Sequence, residues 1–192
     1  MPFSVLVRAY LFAALGGAAS LLTSNAAAGE LGTSPAFVLV WLSLYASTFV
    51  AWFISYRGSV RRSEVLPYAV CALVLLSAAW SQLPGQTLRY GVSLASNVLF
   101  ACICARKLAF DEFFKHLRWT INWMTAAGLL LAAAGVSVAF YIDPIDRSNI
   151  LGTALIKGLY SHKIYAGLYC AIGFYLNVLS DRKWERYFFA PL

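Results

Sequence analysis

Three basic side chains stand where the chain passes from one apolar run to the next: Arg89 in LSAAWSQLPGQTLRYG, and the adjacent pair His162 and Lys163 in ILGTALIKGLYSHKIYAG. Arginine offers a planar fork of donors that matches a phosphate bidentately, and lysine and protonated histidine add charge and further donors. At the edge of an apolar phase these residue types suit a phosphorylated lipid headgroup. A lone arginine in that position also serves as a plain interfacial anchor, so the elements around it decide between the two.

Those elements are apolar and closely spaced. The 192 residues are 61% hydrophobic and 12% charged, with a mean hydropathy of +0.71, against about 25% charged in ordinary soluble domains. A soluble core cannot use so much apolar surface. Roughly 20 apolar residues span a bilayer, and shorter runs must tilt, snorkel or thin it. Six runs emerge: Val5 to Leu22, with Arg8 able to snorkel to the headgroups, then Ala36 to Ser55, Val65 to Trp80, Tyr90 to Ala105, Trp119 to Ile142 and Ile164 to Ser180. Uninterrupted stretches such as LLLAAAGVSVAFYI read as helices, because barrel strands alternate apolar and polar residues. The expected fold is all-α, a polytopic transmembrane bundle that forms one integral membrane unit over residues 1–192 with no soluble domain. The net charge of +7 lies beside the runs, where topology and anionic lipid account for it, and it leaves no basic face for nucleic acid.

The cations also set an expected orientation. Arg57, Arg61 and Arg62 follow the second run; Arg106, Lys107, Lys115 and Arg118 follow the fourth; Arg182, Lys183 and Arg186 follow the sixth. By the positive-inside rule these gaps are cytoplasmic, with the N-terminus inside. The opposite gaps hold Arg89 in one and Arg147, Lys157 and Lys163 in another, while TSNAAAGELGTSPA has no Lys or Arg. Trp41, Trp80, Trp119 and Trp123 sit near run ends, as interfacial aromatics do. Arg8, the apolar stretch after it and Ala26 to Ala28 also imitate a secretory signal with an A-x-A site. Cleavage there would leave the later topology unchanged.

Other reactive residue types carry little chemistry. Cys71, Cys102, Cys104 and Cys170 read as small apolar helix residues, since Cys102 and Cys104 face different ways on a helix and lack a nearby His or carboxylate to complete a metal site. His116 lies in LAFDEFFKHLRW, which reads as a short amphipathic interfacial helix, and its role is structural. Asn97, Asn122 and Asn177 fit interhelical hydrogen bonding. No phosphate-cradling glycine loop, helical His pair or nucleophile elbow occurs, and no cofactor or metal is expected.

Leu76, Ser77, Trp80, Ser81, Pro84, Leu88 and Arg89 spell L-S-x-x-W-S-x-x-P-x-x-x-L-R, and Gly158 to Lys163 spell G-L-Y-S-H-K, with Gly167 following. Together with the basic segment and long apolar run between them, over about Leu66 to Ser180, this layout resembles the N-terminal half of the O-antigen ligase and polysaccharide polymerase family. Ile164 stands where the family usually carries an asparagine after His-Lys. The resemblance implies a membrane glycosyltransferase of the bacterial envelope at the outer face of the inner membrane. Its donor would be a glycan on undecaprenyl pyrophosphate, and its acceptor the lipid A core or a growing glycan. It implies that Arg89 and Lys163 contact the pyrophosphate and stabilise its departing charge without a metal, with His162 assisting. Family members carry further helices and a large periplasmic loop with additional Arg and His, among which the resemblance implies the general base. The chain is therefore expected to be the N-terminal part of a longer protein, without a complete active site. A non-catalytic membrane scaffold, or a small transporter or flippase subunit, is the alternative.

Overall fold

The computed structural model describes residues 3–18, 35–56, 60–141, 155–160 and 162–180. Residues 19–34, including Ala26 to Ala28, and the cations Arg57, Arg147, Arg182, Lys183 and Arg186 lie outside the described residues, as does the side chain of Lys163. The chain divides into two compact units, Met1–Trp41 with Phe114–Leu192, and Leu42–Phe113. The described part is all-α apart from a two-residue antiparallel pair, β1 (Phe140–Tyr141) with β2 (Leu155–Ile156).

The first unit holds α1 (Phe3–Ala14), the start of α2 (Pro35–Tyr56), most of α5 (Phe110–Ala133) and α6 (Lys163–Val178). The first apolar run, expected to reach Leu22, breaks at Leu15–Gly16, where Gly16 takes φ +100°. The fifth was expected from Trp119 to Ile142. Instead the amphipathic stretch from Phe110 forms the opening turns of α5 itself, and the helix stops at Ala133. Asp111 and Glu112 in its first turn favour a start there by meeting the positive end of the helix dipole. Its stop is a Schellman cap: Val136 N–H donates to Leu131 O at 2.9 Å, Gly135 N–H donates to Ala132 O at 3.0 Å, and Gly135 supplies the left-handed φ of +70°. An apolar run has no marker for such a stop except the glycine.

The core of this unit is Leu15, Ile121, Met124, Leu159 and Tyr160. Two close approaches build it. A Cβ on Gly128 would fall 2.7 Å from Gly158 Cα, and a Cβ on Gly173 would fall 2.7 Å from Ile121 Cγ2. Small residues at such points let helix and chain backbones come together, the usual basis of packing inside a membrane. Asn122 and Asn177 then lock α5 to α6 by donating to each other at 2.9 and 2.8 Å.

The second unit holds the rest of α2, then α3 (Arg62–Leu76), a 3-10 turn (Ser77–Ala79) and α4 (Pro84–Lys107). Pro84 at the start of α4 sits where its missing N–H costs no helical bond. Tyr45 and Ser93 hydrogen bond at 2.7 Å between α2 and α4, and Trp52 Nε1 donates to Tyr68 Oη at 3.1 Å between α2 and α3. At the far end of the unit Glu64 accepts Arg61 N–H at 3.0 Å and both Nε (2.5 Å) and Nη2 of Arg106. The Arg106 guanidinium lies 3.5 Å over the Tyr56 ring.

Among the described residues three helical stretches, Pro35–Tyr56, Arg62–Ala79 and Pro84–Lys107, are long and apolar enough to cross a membrane, and α1 and α6 are shorter apolar helices. Leu39, Phe49, Phe53, Leu66 and Leu73 on these stretches are all more than half exposed. Large apolar side chains exposed in such numbers on long apolar helices mark a membrane-associated protein whose helices suit contact with lipid.

Candidate functional site

In the second unit the LSAAWSQLPGQTLR segment forms a tight connection between α3 and α4. The helix yields to the 3-10 turn, and Ser77 Oγ donates to Val74 O at 2.6 Å. Ser81 organises the next step: its Oγ accepts Leu83 N–H at 3.1 Å and hydrogen bonds to Thr87 Oγ1 at 2.6 Å, setting the chain for Pro84 to begin α4. Arg89 projects from the second turn of α4 as an exposed residue, and Trp80 is 68% exposed. The turn thus presents an amphipathic ring and a guanidinium from a hydrogen-bonded base.

In the first unit the GLYSHK segment is built inward before it turns out. Gly158, at φ +60°, packs on Gly128, and Leu159 and Tyr160 are buried. The Tyr160 hydroxyl is 3.0 Å from Thr125 Oγ1 and donates to Ile121 O at 3.4 Å. Burial pushes its pKa up to about 12, so it stays a neutral phenol. Its ring stacks on Tyr169 at 5.6 Å; Tyr169 stacks on Tyr165 at 6.4 Å, and Tyr165 meets the edge of His162 at 6.3 Å. His162 caps α6, its Nδ1 accepting Ile164 N–H at 3.2 Å. With Nδ1 accepting, a neutral ring carries its proton on Nε2.

A cavity of about 270 Å³ lies beside this segment, lined among others by Thr125, Ile156, Lys157, Tyr160, Gly167 and Cys170. Burial lowers the pKa of Lys157 from the ordinary lysine value. Sequence reasoning counted Lys157 among the outer cations without assigning it to a site, and the β1–β2 pairing that holds Ile156 beside it has no strong signal in two residues per strand.

Arg89 belongs to the second unit and His162 to the first, and each is placed by its own unit. Lys163 opens α6 directly after the capping histidine. Among the described residues no three His, Cys, Asp or Glu side chains gather as a metal site; Cys71, Cys102 and Cys104 are buried thiols, and Cys170 is partly buried. No family model, curated protein or solved structure matches this chain.

Proposed function

We propose that this chain contributes to bacterial envelope polysaccharide assembly, in the manner of the O-antigen ligase and polymerase enzymes it resembles. Glycan would move from undecaprenyl pyrophosphate to a lipid A core or growing glycan at the periplasmic face. In this proposal the protein is a multi-pass inner-membrane protein with six spans and a cytoplasmic N-terminus. Arg89 and Lys163 hold the pyrophosphate, and His162 orients it by hydrogen bonding. No metal or cofactor is required, because cationic donors can stabilise the developing charge of the leaving group.

The observation that supports this reading best is the construction of the GLYSHK segment. Its buried half is tied to α5 through Gly128 and Thr125, which gives the capping His162 a rigid base next to the first turn of α6. Preorganised donors of this kind act without reorganising when charge develops. The scaffold alternative draws on the Asn122–Asn177 pair, whose amides satisfy each other and need no substrate.

The test, made on the full-length parent of which this chain is expected to be the N-terminal part, is glycan transfer in reconstituted membranes supplied with the undecaprenyl-linked donor. Losing a charge-assisted hydrogen bond costs roughly 1.5 to 3 kcal/mol, so Arg89→Ala should lower transfer by about ten- to a hundredfold at equal membrane abundance. Arg89→Lys should recover only part, since a point charge cannot reproduce the bidentate fork. Wild-type transfer by Arg89→Ala would return Arg89 to an anchor.

A further inference from the structure

Within the first unit, α1 and α5 turn one stripe each toward a shared groove. On α1 the stripe is Val5, Arg8, Ala9 and Phe12, at i, i+3, i+4 and i+7. On α5, Trp119, Trp123 and Ala127 recur every fourth residue. Both spacings are those of a single helix face. The groove encloses about 520 Å³, within the roughly 300–1,000 Å³ typical of ligand sites. Its walls are aliphatic and aromatic, and its one polar side chain besides Arg8, Thr120, already donates its hydroxyl to His116 O at 3.0 Å.

Arg8 is held rigidly at this groove. Its guanidinium carbon lies 4.2 Å from the centre of the Trp119 ring, and its Nε donates to His116 Nδ1 at 3.2 Å. Both contacts fix the plane of the fork. Nη1 and Nη2 make no hydrogen bond among the described residues, and no carboxylate among them pairs with the charge. A snorkelling side chain would need neither partner. An oriented cation with an open bidentate edge, set against an apolar trough between helices, has the complement of a phosphodiester joined to a hydrocarbon chain.

We infer that this groove binds one anionic glycerophospholipid, with an acyl chain along Phe12, Trp123 and Ala127 and the phosphate on the Nη edge of Arg8. The site shares no residue with Arg89, His162 or Lys163, and it stands independently of glycan transfer. His116, read from the sequence as structural, becomes the residue that aims Arg8.

The test uses the whole purified chain in detergent, offered equal amounts of phosphatidylglycerol and phosphatidylcholine with identical acyl chains, with retained lipid counted by native mass spectrometry. A charge-assisted contact predicts retention of one phosphatidylglycerol per chain, favoured by about tenfold or more. Arg8→Gln should erase that preference, Arg8→Lys should keep part of it, and Ala127→Trp, which fills the trough, should release both lipids. Equal retention of the two lipids by the wild type overturns the inference, and this holds even if Arg8→Gln fails to fold. Retention of no lipid, or tighter retention of a polyisoprenyl phosphate than of phosphatidylglycerol in the same competition, overturns it as well. So does an undiminished preference in Arg8→Gln.

Discussion

Gly128 and Gly85 make opposite use of the same residue type. A Cβ on Gly128 would meet Gly158 Cα at 2.7 Å and Leu159 N at 2.9 Å, and both obstacles are backbone that cannot swing aside. Nothing lies within 4 Å of a Cβ on Gly85, in the first turn of α4. Gly128→Ala should therefore destabilise the protein by about 1–3 kcal/mol through overpacking, whereas Gly85→Ala should be neutral or slightly stabilising through helix propensity. Thermal midpoints in detergent check this: a lower Tm for Gly128→Ala and an unchanged or higher one for Gly85→Ala. Equal shifts would mean that the α5 contact does not hold the GLYSHK segment, and the rigid base proposed for His162 would go with it.

At the scale of helices, buried amides fasten α5 to α6. Asn122→Leu leaves the Asn177 amide buried without its partner, which costs roughly 1–3 kcal/mol. Replacing both by leucine removes that unsatisfied group, so the double variant should lose less stability than the sum of the single ones. Unfolding midpoints of the four proteins measure the coupling, and strict additivity would show that the amides do not pair. Helices of this length were legible where long apolar runs meet local signals: the run from Ala36 to Ser55 emerges as Pro35–Tyr56, opened by Pro35. The expected runs from Val65 to Trp80 and Tyr90 to Ala105 lie within or beside Arg62–Ala79 and Pro84–Lys107. Hydrophobicity alone did not show that Phe110 to Arg118 continues into α5, since an amphipathic stretch and an apolar run differ in pattern yet share one backbone. The place of His162 at the mouth of α6 was legible from the polar, glycine-rich segment before Ile164, whereas Arg89, expected in the gap before a helix starting at Tyr90, lies inside α4, which starts at Pro84. The partners of Arg106 and Arg8 were not legible. Glu64 is 42 residues from Arg106 and His116 is 108 from Arg8, and no local period carries a pairing across such separations.

For the molecule as a whole, orientation in the membrane governs the proposed glycan transfer, because Arg89 and His162 can meet a periplasmic donor only if their turns face outward. The cations support that orientation through the positive-inside rule, which counts Lys and Arg in short gaps near the spans. Arg61, Arg62, Arg106 and Lys107 fall at the opposite ends of α3 and α4 from Arg89 or just beyond them. Within the first unit, His162 at the start of α6 and the lipid site at Arg8 would then lie toward different leaflets. The measurement that tests this most directly is labelling of intact cells with an impermeant thiol reagent, in protein whose native cysteines are replaced and which carries one new cysteine at a time. Gln86→Cys, in the turn that presents Arg89, should react, and Gly58→Cys should be shielded until the membrane is permeabilised. Labelling at Gly58→Cys with none at Gln86→Cys would contradict the account, placing Arg89 in the cytoplasm and out of reach of a periplasmic donor.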